Sequence, residues 1–576
     1  MSLQVWLPLN GNLNNQGLSE VTVTNNGATI DSNGKIGSCY SFDTGKYLTV
    51  TKPASITKEI SYSCWVKISS WNSAMFDCIM TIDTGTAWKD CRATLCRNGG
   101  STNLTWNIAN GSSSSRVNSN TSLSLNTWYH IACTYDGTKL RIYVNGVEDN
   151  SVDTSLIPNY DSAKLYIGSS NGNIYYLNGF LNDVRIYNHC LSAKEVKEIS
   201  KGLLCHYKLD NNGFGNPNLI NTNNPLQAGG RTVVTDKKLI ISAIDTTADT
   251  YFTINLAEAI QADVEYTLSC DVEDMNCNTN WNFPLFAQGN PISKTLVISP
   301  NASKASITFT VPTGSSYVGT TTIFMDDAGR PSTNPNNITL SNFKLERGSV
   351  ATQWCPHTSD SLYTSLGLDS TTESDCSGYS YNGTLSESLP YVSNSPRYGG
   401  CYYFNSTSKR ITLPTINMSG FSNSFSIAWW GKAPSYSSLM YWGFSDGNRL
   451  NYYDGLYCNT GDGSSNPYYK PNTTTIISIP SVNTWHHFVM VGDGSSNKLY
   501  MDGELYGVAA TYKGITGSTI VINGWDSSTS YKTNGYISDF RIYSTALSTE
   551  DIKELYNTSA SIDKNGNMYA YEFKEE

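Results

Sequence analysis

The feature that most constrains this 576-residue chain is a long-period repeat, in which a set of ordered sequence blocks occurs twice. One block, Asn126-Thr-Trp128-Tyr-His130, is matched by Asn483-Thr-Trp485-His-His487, and the turn Asn145-Gly146 is matched by Asp502-Gly503. The separation between the tryptophan and the turn is the same in both copies. Self-similarity of this kind indicates one structural unit encoded twice.

Each block has the pattern of a β-strand. In Asp183-Val-Arg-Ile-Tyr187 the apolar Val184 and Ile186 alternate with polar neighbours, which is the period of a strand with one buried face. Asn-Gly and Asp-Gly are strong signals for a type I′ hairpin. With 39% apolar and only 15% charged residues, the chain is predicted to be all-β. The sequences from Ser192 and from Ser548 predict one short capped helix at the end of each copy.

The repeat also predicts the domain boundaries. The first unit spans 1–202, and the second begins with Leu203-Leu-Cys-His-Tyr-Lys-Leu-Asp210 but resumes only near Ser361. We therefore expect a discontinuous second unit, 203–215 plus 359–557, with an independent β-module inserted over 216–358. The last segment, 558–576, has a strand–turn–strand pattern that we expect to pair with another module or subunit.

These blocks resemble the laminin-G-like/concanavalin A-like lectin superfamily. The strongest match is the ending Gly179-Phe-Leu-Asn-Asp-Val-Arg-Ile-Tyr187, which recurs as Gly535-Tyr-Ile-Ser-Asp-Phe-Arg-Ile-Tyr543. The resemblance implies two concanavalin-type jelly-roll sandwiches. The insert, which ends at Phe343-Lys-Leu-Glu-Arg-Gly-Ser-Val-Ala-Thr-Gln-Trp354, resembles the carbohydrate-binding-module-like domains of phage tail and baseplate proteins.

The opening MSLQVWLPLNGNL and the segment Ser561-Ile-Asp-Lys-Asn-Gly-Asn-Met-Tyr-Ala-Tyr-Glu-Phe573 also resemble structural proteins of phages that infect Gram-positive bacteria. The resemblance implies a virion receptor-binding protein that recognises a host surface glycan. Its partners would be other tail or baseplate proteins, and it is compatible with a homo-oligomer. A virion adaptor without glycan binding and, less favoured, a polysaccharide depolymerase are the alternatives.

Charge and hydropathy restrict the partners. The net charge of −10 argues against nucleic acid or an anionic membrane surface. No apolar stretch approaches the roughly 20 residues that span a bilayer, and the first residues lack the pattern of a secretory signal. We therefore expect synthesis in a host cytoplasm and localisation in the virion.

Binding is favoured over catalysis. A glycosidase needs two carboxylates on the cleft-forming sheet, and no strand carries the closely alternating Glu and Asp that would supply them. Asp183 and Asp539 each lie two positions from an arginine, which predicts structural ion pairs. His130 and His487 are predicted to support the framework. The chain is therefore expected not to be an enzyme.

Sugar recognition needs aromatic faces and planar polar groups. The repeated pairs Trp65/Trp430 and Trp128/Trp485 are predicted to lie in the core. Tryptophans without a repeat partner are the candidates for binding, together with neighbouring polar groups. The candidates are Trp88, Trp106, Trp442, Asp446, Arg449, Trp525 and Asp526, with Trp281 and Tyr317 in the insert.

The resemblance also leaves a calcium ion open. The one candidate ligand is Asp43, and Asn405 stands at the matching position of the second unit.

Overall fold

The computed structural model describes most of the chain. The described residues are 3–72, 76–85, 87–97, 99–209, 218–221, 224–230, 232–243, 250–276, 279–287, 290–315, 318–326, 336–347, 351, 354, 372–373, 375–377, 379, 381–386, 391–392, 401–404, 409–416, 424–435, 439–444, 449–452, 456–459, 465–469, 471–472, 474–478, 480–509, 512, 514–515, 518–524, 535–558, 561–562 and 568–569.

The first unit is a sandwich of two antiparallel sheets. Its eight-stranded sheet has the order Val147–Asp153, Lys139–Val144, Trp128–Tyr135, Ile60–Ile68, Gly179–Tyr187, Cys39–Phe42 and Thr29–Asp31, with Leu3–Leu7 also paired to Gly179–Tyr187. Its seven-stranded sheet has the order Ser114–Ser122, Asn103–Ala109, Cys91–Arg97, Asp77–Asp83, Lys164–Ile167, Tyr47–Val50 and Val23–Asn26. A large apolar core lies between the two sheets.

The second unit repeats this arrangement. One face contains Asn497–Met501, His486–Gly492, Phe425–Lys432, Gly535–Tyr543, Cys401–Phe404, Tyr391–Val392, and Leu203–Tyr207 paired to Gly535–Tyr543. The other contains Thr372–Glu373, Gly383–Leu385, Ile411–Thr412, Ile520–Ile522, Leu439–Phe444, Arg449–Tyr452 and Leu456–Asn459. The strands Ser465–Tyr469 and Glu504–Ala509 join the two faces.

Between Leu203–Tyr207 and the rest of the second unit lies a third sandwich with its own apolar core. One sheet has the order Leu226–Gly230, Thr250–Asn255, Thr322–Asp326, Trp281–Ala287 and Asn290–Ile298. The other has the order Thr232–Thr235, Lys238–Ala243, Asn336–Arg347, Glu265–Asn276 and Lys304–Thr310. The predicted all-β fold class, two concanavalin-type sandwiches with a β-sandwich inserted in the second, is confirmed.

Local sequence explains the repeated geometry of the two units. Asn145 and Gly146 have φ of 50° and 85°, and Asp502 and Gly503 have 51° and 83°, so both turns use the positive φ that the type I′ hairpin requires. In each long central strand an aspartate also has positive φ, 53° at Asp183 and 51° at Asp539. These aspartates sit at interruptions of the strand register, where a bulge aims the side chain off the regular pleat.

Two helices, Ala193–Ser200 and Thr549–Thr558, close the two units. The Ser192 hydroxyl accepts a hydrogen bond from Glu195 N while the Glu195 carboxylate accepts one from Ser192 N, which is the predicted capping box. Ser548 and Asp551 repeat it. Within the described residues neither helix is long and apolar enough to cross a membrane. Near the end of the chain, Ser561–Ile562 pairs with Met568–Tyr569 and lies against the first helix.

The two repeated units are in direct contact. The edge of the Tyr379 ring meets Trp6 with 5.4 Å between ring centroids, and Asn10 of the first unit hydrogen-bonds Tyr381 of the second. The two helices are joined by an ion pair of 2.9 Å between Lys197 Nζ and Asp551 Oδ1. The two units therefore share an interface and are not joined by a linker alone.

Candidate functional site

Three of the predicted sugar-binding tryptophans belong to the cores instead. Trp106 and Trp281 have no exposed surface and Trp442 is 1% exposed. Trp281 stacks on Phe283 in the inserted unit, and Trp442 packs edge-on against Trp429. A ring without exposed surface cannot stack on a sugar from solution, so the prediction for these three residues is wrong.

Strand alternation is the physical reason. Trp106 lies in the strand Asn103–Ala109, where Leu104, Trp106 and Ile108 point into the sandwich. Its polar neighbours Thr105 and Asn107 occupy the opposite face. Because they flank Trp106 in the sequence, this buried strand was interpreted as a polar loop. The indole Nε1 donates a hydrogen bond of 3.2 Å to the carbonyl oxygen of Thr134 on the facing sheet.

Several other predicted residues remain as predictions. Trp525, Asp526, Asp446 and Tyr317 lie outside the described residues, and so does the side chain of Arg449, whose backbone lies in the strand Arg449–Tyr452.

Asp43, the calcium candidate, is half-buried, and its carboxylate pairs with Lys46 at 2.9 Å. The described part of the chain contains no group of three or more His, Cys, Asp or Glu residues that could hold a metal ion. A calcium ion at Asp43 stays a prediction, since backbone carbonyls and amide oxygens also serve as calcium ligands.

The repeated aspartates form buried ion pairs. Asp183 Oδ1 accepts hydrogen bonds from Arg185 Nε at 2.9 Å and from the Trp6 indole at 2.7 Å. Asp539 Oδ1 accepts from Arg541 Nε at 2.7 Å and pairs with His206 at 2.9 Å. Burial in this second cluster lowers the pKa of His206 to about 4. Both clusters therefore belong to the framework of the fold.

The repeated histidine also belongs to the framework. His130 lies edge-on to Trp65, with ring centroids 5.4 Å apart, and its Nε2 is 2.9 Å from Ser63 Oγ. Burial lowers the pKa of His130 to about 3, so the ring is neutral at physiological pH.

A different polar surface crosses the outer face of the seven-stranded sheet. Cross-strand pairing aligns one residue from each strand into a continuous row on this face. The row consists of Thr24, Thr49, Tyr166, Thr81, Thr94, Asn107 and Arg116. Every member can donate or accept hydrogen bonds, whereas the adjacent rows face the core. Thr81, Thr94 and Asn107 at the centre of the row are buried, whereas Arg116, Thr24 and Thr49 at its ends are exposed or half-buried. The row can therefore present its guanidinium and its terminal hydroxyls to a ligand.

Asp83, at the end of one strand of this sheet, is a buried carboxylate of the candidate site. Its Oδ2 accepts hydrogen bonds from Ser170 Oγ at 3.0 Å and Asn171 N at 3.1 Å, while Oδ1 is buried without a partner. Asn107 Oδ1 and Ser169 Oγ are also buried without partners. Burial raises the pKa of Asp83 to about 6, and hydrogen bonds to the carboxylate only partly offset that effect. Asp83 and Asn107 are 1% and 0% exposed, so they support the site from inside the protein and do not contact a ligand.

Aromatic side chains border the polar surface at one end. Trp88 is half-buried. The Phe76 ring lies edge-on to it with 5.1 Å between ring centroids, and the Arg116 guanidinium is 4.9 Å from the Trp88 ring centroid. Phe76 also contacts Tyr175, with 5.1 Å between ring centroids. The Asn107 amide donates to the carbonyl oxygens of Trp88 and Cys91, at 3.2 and 2.7 Å, and so fastens the Trp88 loop to the sheet.

A tyrosine cluster lies beside the same sheet. The Tyr47 ring lies 6.3 Å from Tyr166 and 6.5 Å from Tyr176. Trp88 is thus the one tryptophan candidate among the described residues that the structure places in a half-exposed position beside polar groups. Asp83, Asn107 and the tyrosines were missed, although the alternation of Thr, Asn and Asp with apolar residues in Asp77–Asp83 and Asn103–Ala109 could have revealed them.

The sequence matches a protein-family model described as the concanavalin A-like lectin/glucanases superfamily, Laminin_G_3, over residues 42–197 and 405–553. These two matches together span more than half of the chain, and the protein therefore belongs to this superfamily. The two matched regions coincide with the repeated units. A comparison with curated proteins finds no significant match.

Solved structures are similar to parts of the chain at low identity. The chain is similar to the binding domain of botulinum neurotoxin serotype G, with 12% identity and a TM-score of 0.29, over 60% of this chain and 98% of that one. It is also similar to domain 4 of the arabinanase AbnA from Geobacillus stearothermophilus, with 21% identity and a TM-score of 0.27. This match covers 34% of this chain and 98% of that one. A third similar structure is the CBM40 of a Ruminococcus gnavus sialidase, with 13% identity and a TM-score of 0.24. This match covers 31% of this chain and 98% of that one.

Proposed function

We propose that this protein binds carbohydrate through the outer face of the seven-stranded sheet of its first unit. The observation that carries the proposal is the half-exposed ring of Trp88 with the exposed guanidinium of Arg116 4.9 Å from its centre. Sugar rings offer hydroxyl oxygens to a guanidinium and C–H faces to indoles. Membership of a lectin and glucanase superfamily supports the same class of ligand.

Within that superfamily we propose binding without hydrolysis. Asp83 is the carboxylate of the candidate site, and its raised pKa has no contribution from a second carboxylate. The other acid on the same strand, Asp77, is paired with Arg97 at 2.5 Å. Acid–base cleavage of a glycosidic bond uses two carboxyl groups on either side of the bond. Release of reducing ends from a bound polysaccharide would contradict this part of the proposal.

The first test is a glycan array probed with the full chain and with Trp88→Ala. We expect the wild-type protein to bind a subset of surface polysaccharides, and the variant to lose at least tenfold in affinity because its stacking face is gone. Trp485→Ala removes another half-buried indole, in the second unit, and is the matched control. Absence of any bound glycan, or equal loss in both variants, would contradict the site.

We further propose that the protein acts on a phage virion as a tail or baseplate receptor-binding component. The support is the resemblance of its opening segment, its insert and its final segment to phage structural proteins. Several copies on one particle would convert weak single-site binding into stable adsorption. Mass spectrometry of purified particles should detect the chain, and its absence from particles that adsorb normally would overturn this proposal while leaving glycan binding intact.

A further inference from the structure

A second cavity lies where the two repeated units meet, on the far side of the first unit from the Trp88 site. Its volume is about 450 Å³, which is within the usual range for small-ligand sites. The outer face of the eight-stranded sheet supplies Trp65 and Trp128, and the hairpin turn supplies Asn145. The first helix contributes Ser200, and Lys35 closes one side.

Comparison of the two units explains why this cavity exists. In the second unit, Tyr556 of the closing helix stacks on Trp430, with 5.6 Å between ring centroids and 22° between planes. Trp430 is the repeat partner of Trp65, and alignment of the capping serines Ser192 and Ser548 places Ser200 opposite Tyr556. A hydroxymethyl group therefore stands in the first unit where the second unit has a phenol ring. The smaller side chain leaves part of the space beside this ring to the cavity, although Trp65 itself is only 4% exposed because residues of the second unit pack against it.

The cavity contains polar groups that need a partner. Trp65 is 4% exposed, and its indole Nε1 has no hydrogen-bond partner. The Lys35 ammonium lies 5.2 Å from the centre of the Trp65 ring, and no carboxylate among the described residues pairs with it. Burial alone lowers the pKa of Lys35 to about 8, with no acidic group opposing the shift. Lys35 keeps part of its surface exposed. An ammonium that is partly desolvated without a counter-ion is unfavourable, and an incoming anion would relieve that cost.

Of the other charged groups that line the cavity, the two lysines are already paired, and the carboxylate of Glu550 is exposed to solvent. Lys197 pairs with Asp551 at 2.9 Å, and Lys201 forms a buried pair with Glu198. Trp128, which is half-buried, offers a ring face beside Lys67, whose ammonium is 5.2 Å from the ring centre. The cavity thus combines the half-buried ring of Trp128 with the unpaired ammonium of Lys35.

We propose that this junction cavity binds a pyranose that carries a carboxylate, such as a hexuronate unit of an acidic polysaccharide. The carboxylate would pair with Lys35, and the sugar ring would lie against the half-buried Trp128. This site is separate from the Trp88 surface. Its ligand class is narrower than that of the proposed function, since it requires a negative charge.

The test is isothermal titration calorimetry of the full chain with methyl β-D-glucuronide, with methyl β-D-glucoside as the neutral comparison. We expect saturable binding of the glucuronide and at least tenfold weaker binding of the glucoside. Lys35→Met should weaken the glucuronide at least tenfold. Ser200→Tyr should do the same, because it installs the ring that the second unit carries at this position. Lys46→Met removes a surface lysine of the first unit and should change nothing.

The pH dependence provides a second readout. Because Lys35 must be protonated to pair with the carboxylate, the affinity should fall about tenfold per pH unit above pH 8, and this slope should disappear in Lys35→Met. Circular dichroism and thermal transitions establish that each variant is folded. Trp88→Ala should bind the glucuronide normally, which separates this proposal from the proposed function. The proposal is overturned if the glucuronide does not bind at millimolar concentration, if the glucoside binds equally well, or if Lys35→Met or Ser200→Tyr keeps wild-type affinity.

Discussion

Replacing Asp539 with Asn should destabilise the second unit by about 3–5 kcal/mol, because it leaves the Arg541 guanidinium buried without its counter-ion. Arg541 has no exposed surface and Asp539 is 2% exposed. Burial acts to raise the pKa of Asp539, but Arg541 and His206 outweigh it and hold that pKa well below its usual range. Asparagine is the correct replacement because it tolerates the positive φ at this position.

Hydrogen exchange of peptides from the strand Gly535–Tyr543, followed by mass spectrometry, measures this effect in the second unit specifically. A loss of 3–5 kcal/mol corresponds to exchange faster by roughly 10²- to 10³-fold or more. The double variant Asp539→Asn/Arg541→Met should recover most of the loss, since it removes the stranded charge. Glu504→Gln, which breaks an exposed pair with Lys553, should change exchange only slightly. Equal effects of Asp539→Asn and Glu504→Gln would show that the buried pair is not structural.

Replacing Trp106 with Ala should cost about 3–5 kcal/mol in the first unit, the loss typical of truncating a fully buried aromatic side chain. The ring centroids of Trp106 and Tyr62, which lies on the facing sheet, are 5.1 Å apart. The indole N–H of Trp106 donates a hydrogen bond to the carbonyl oxygen of Thr134 on the same sheet. The truncation therefore removes contacts between the two layers. Thermal unfolding monitored by circular dichroism should show an early transition for the first unit.

Trp88→Ala is the matched comparison for this prediction. Its side chain is half-buried on a loop, so its removal should reduce stability much less while weakening glycan binding at least tenfold. If Trp106→Ala left thermal unfolding unchanged and weakened glycan binding instead, the assignment of this ring to the core would be wrong.

The fold was predictable because its signals are local and occur twice. The turns at Asn145-Gly146 and Asp502-Gly503 need residues that accept positive φ, and the same chemistry recurs at the bulge aspartates. The helix caps are equally local, since Ser192 and Glu195 are three residues apart. Each of these features depends on a few neighbouring residues, so a single sequence contains them in full.

The candidate site was predicted only in part, because it depends on which face of a strand a side chain occupies and on which loop covers that face. Trp88 and Trp106 both have polar neighbours in sequence, yet one lies on a loop and the other in the core. Asp83 became a candidate only when cross-strand pairing placed it on the same outer face as Asn107. The junction cavity needs a further comparison, between Ser200 and Tyr556, which the aligned repeat contains but which acquires meaning only with Trp65 beside it.

The insertion has a consequence for how the protein is made. Leu203–Tyr207 pairs with Gly535–Tyr543, a strand that leaves the ribosome more than 300 residues later. At about 5–20 residues per second, that delay is roughly 15 to 70 seconds. During this interval the first unit and the inserted sandwich can both complete their folding. The strand Leu203–Tyr207 remains without its partner strand until Gly535–Tyr543 has been synthesised. Co-translational assembly of the second unit is therefore the slow stage, and the time at which a nascent chain is most exposed to mispairing with its neighbours.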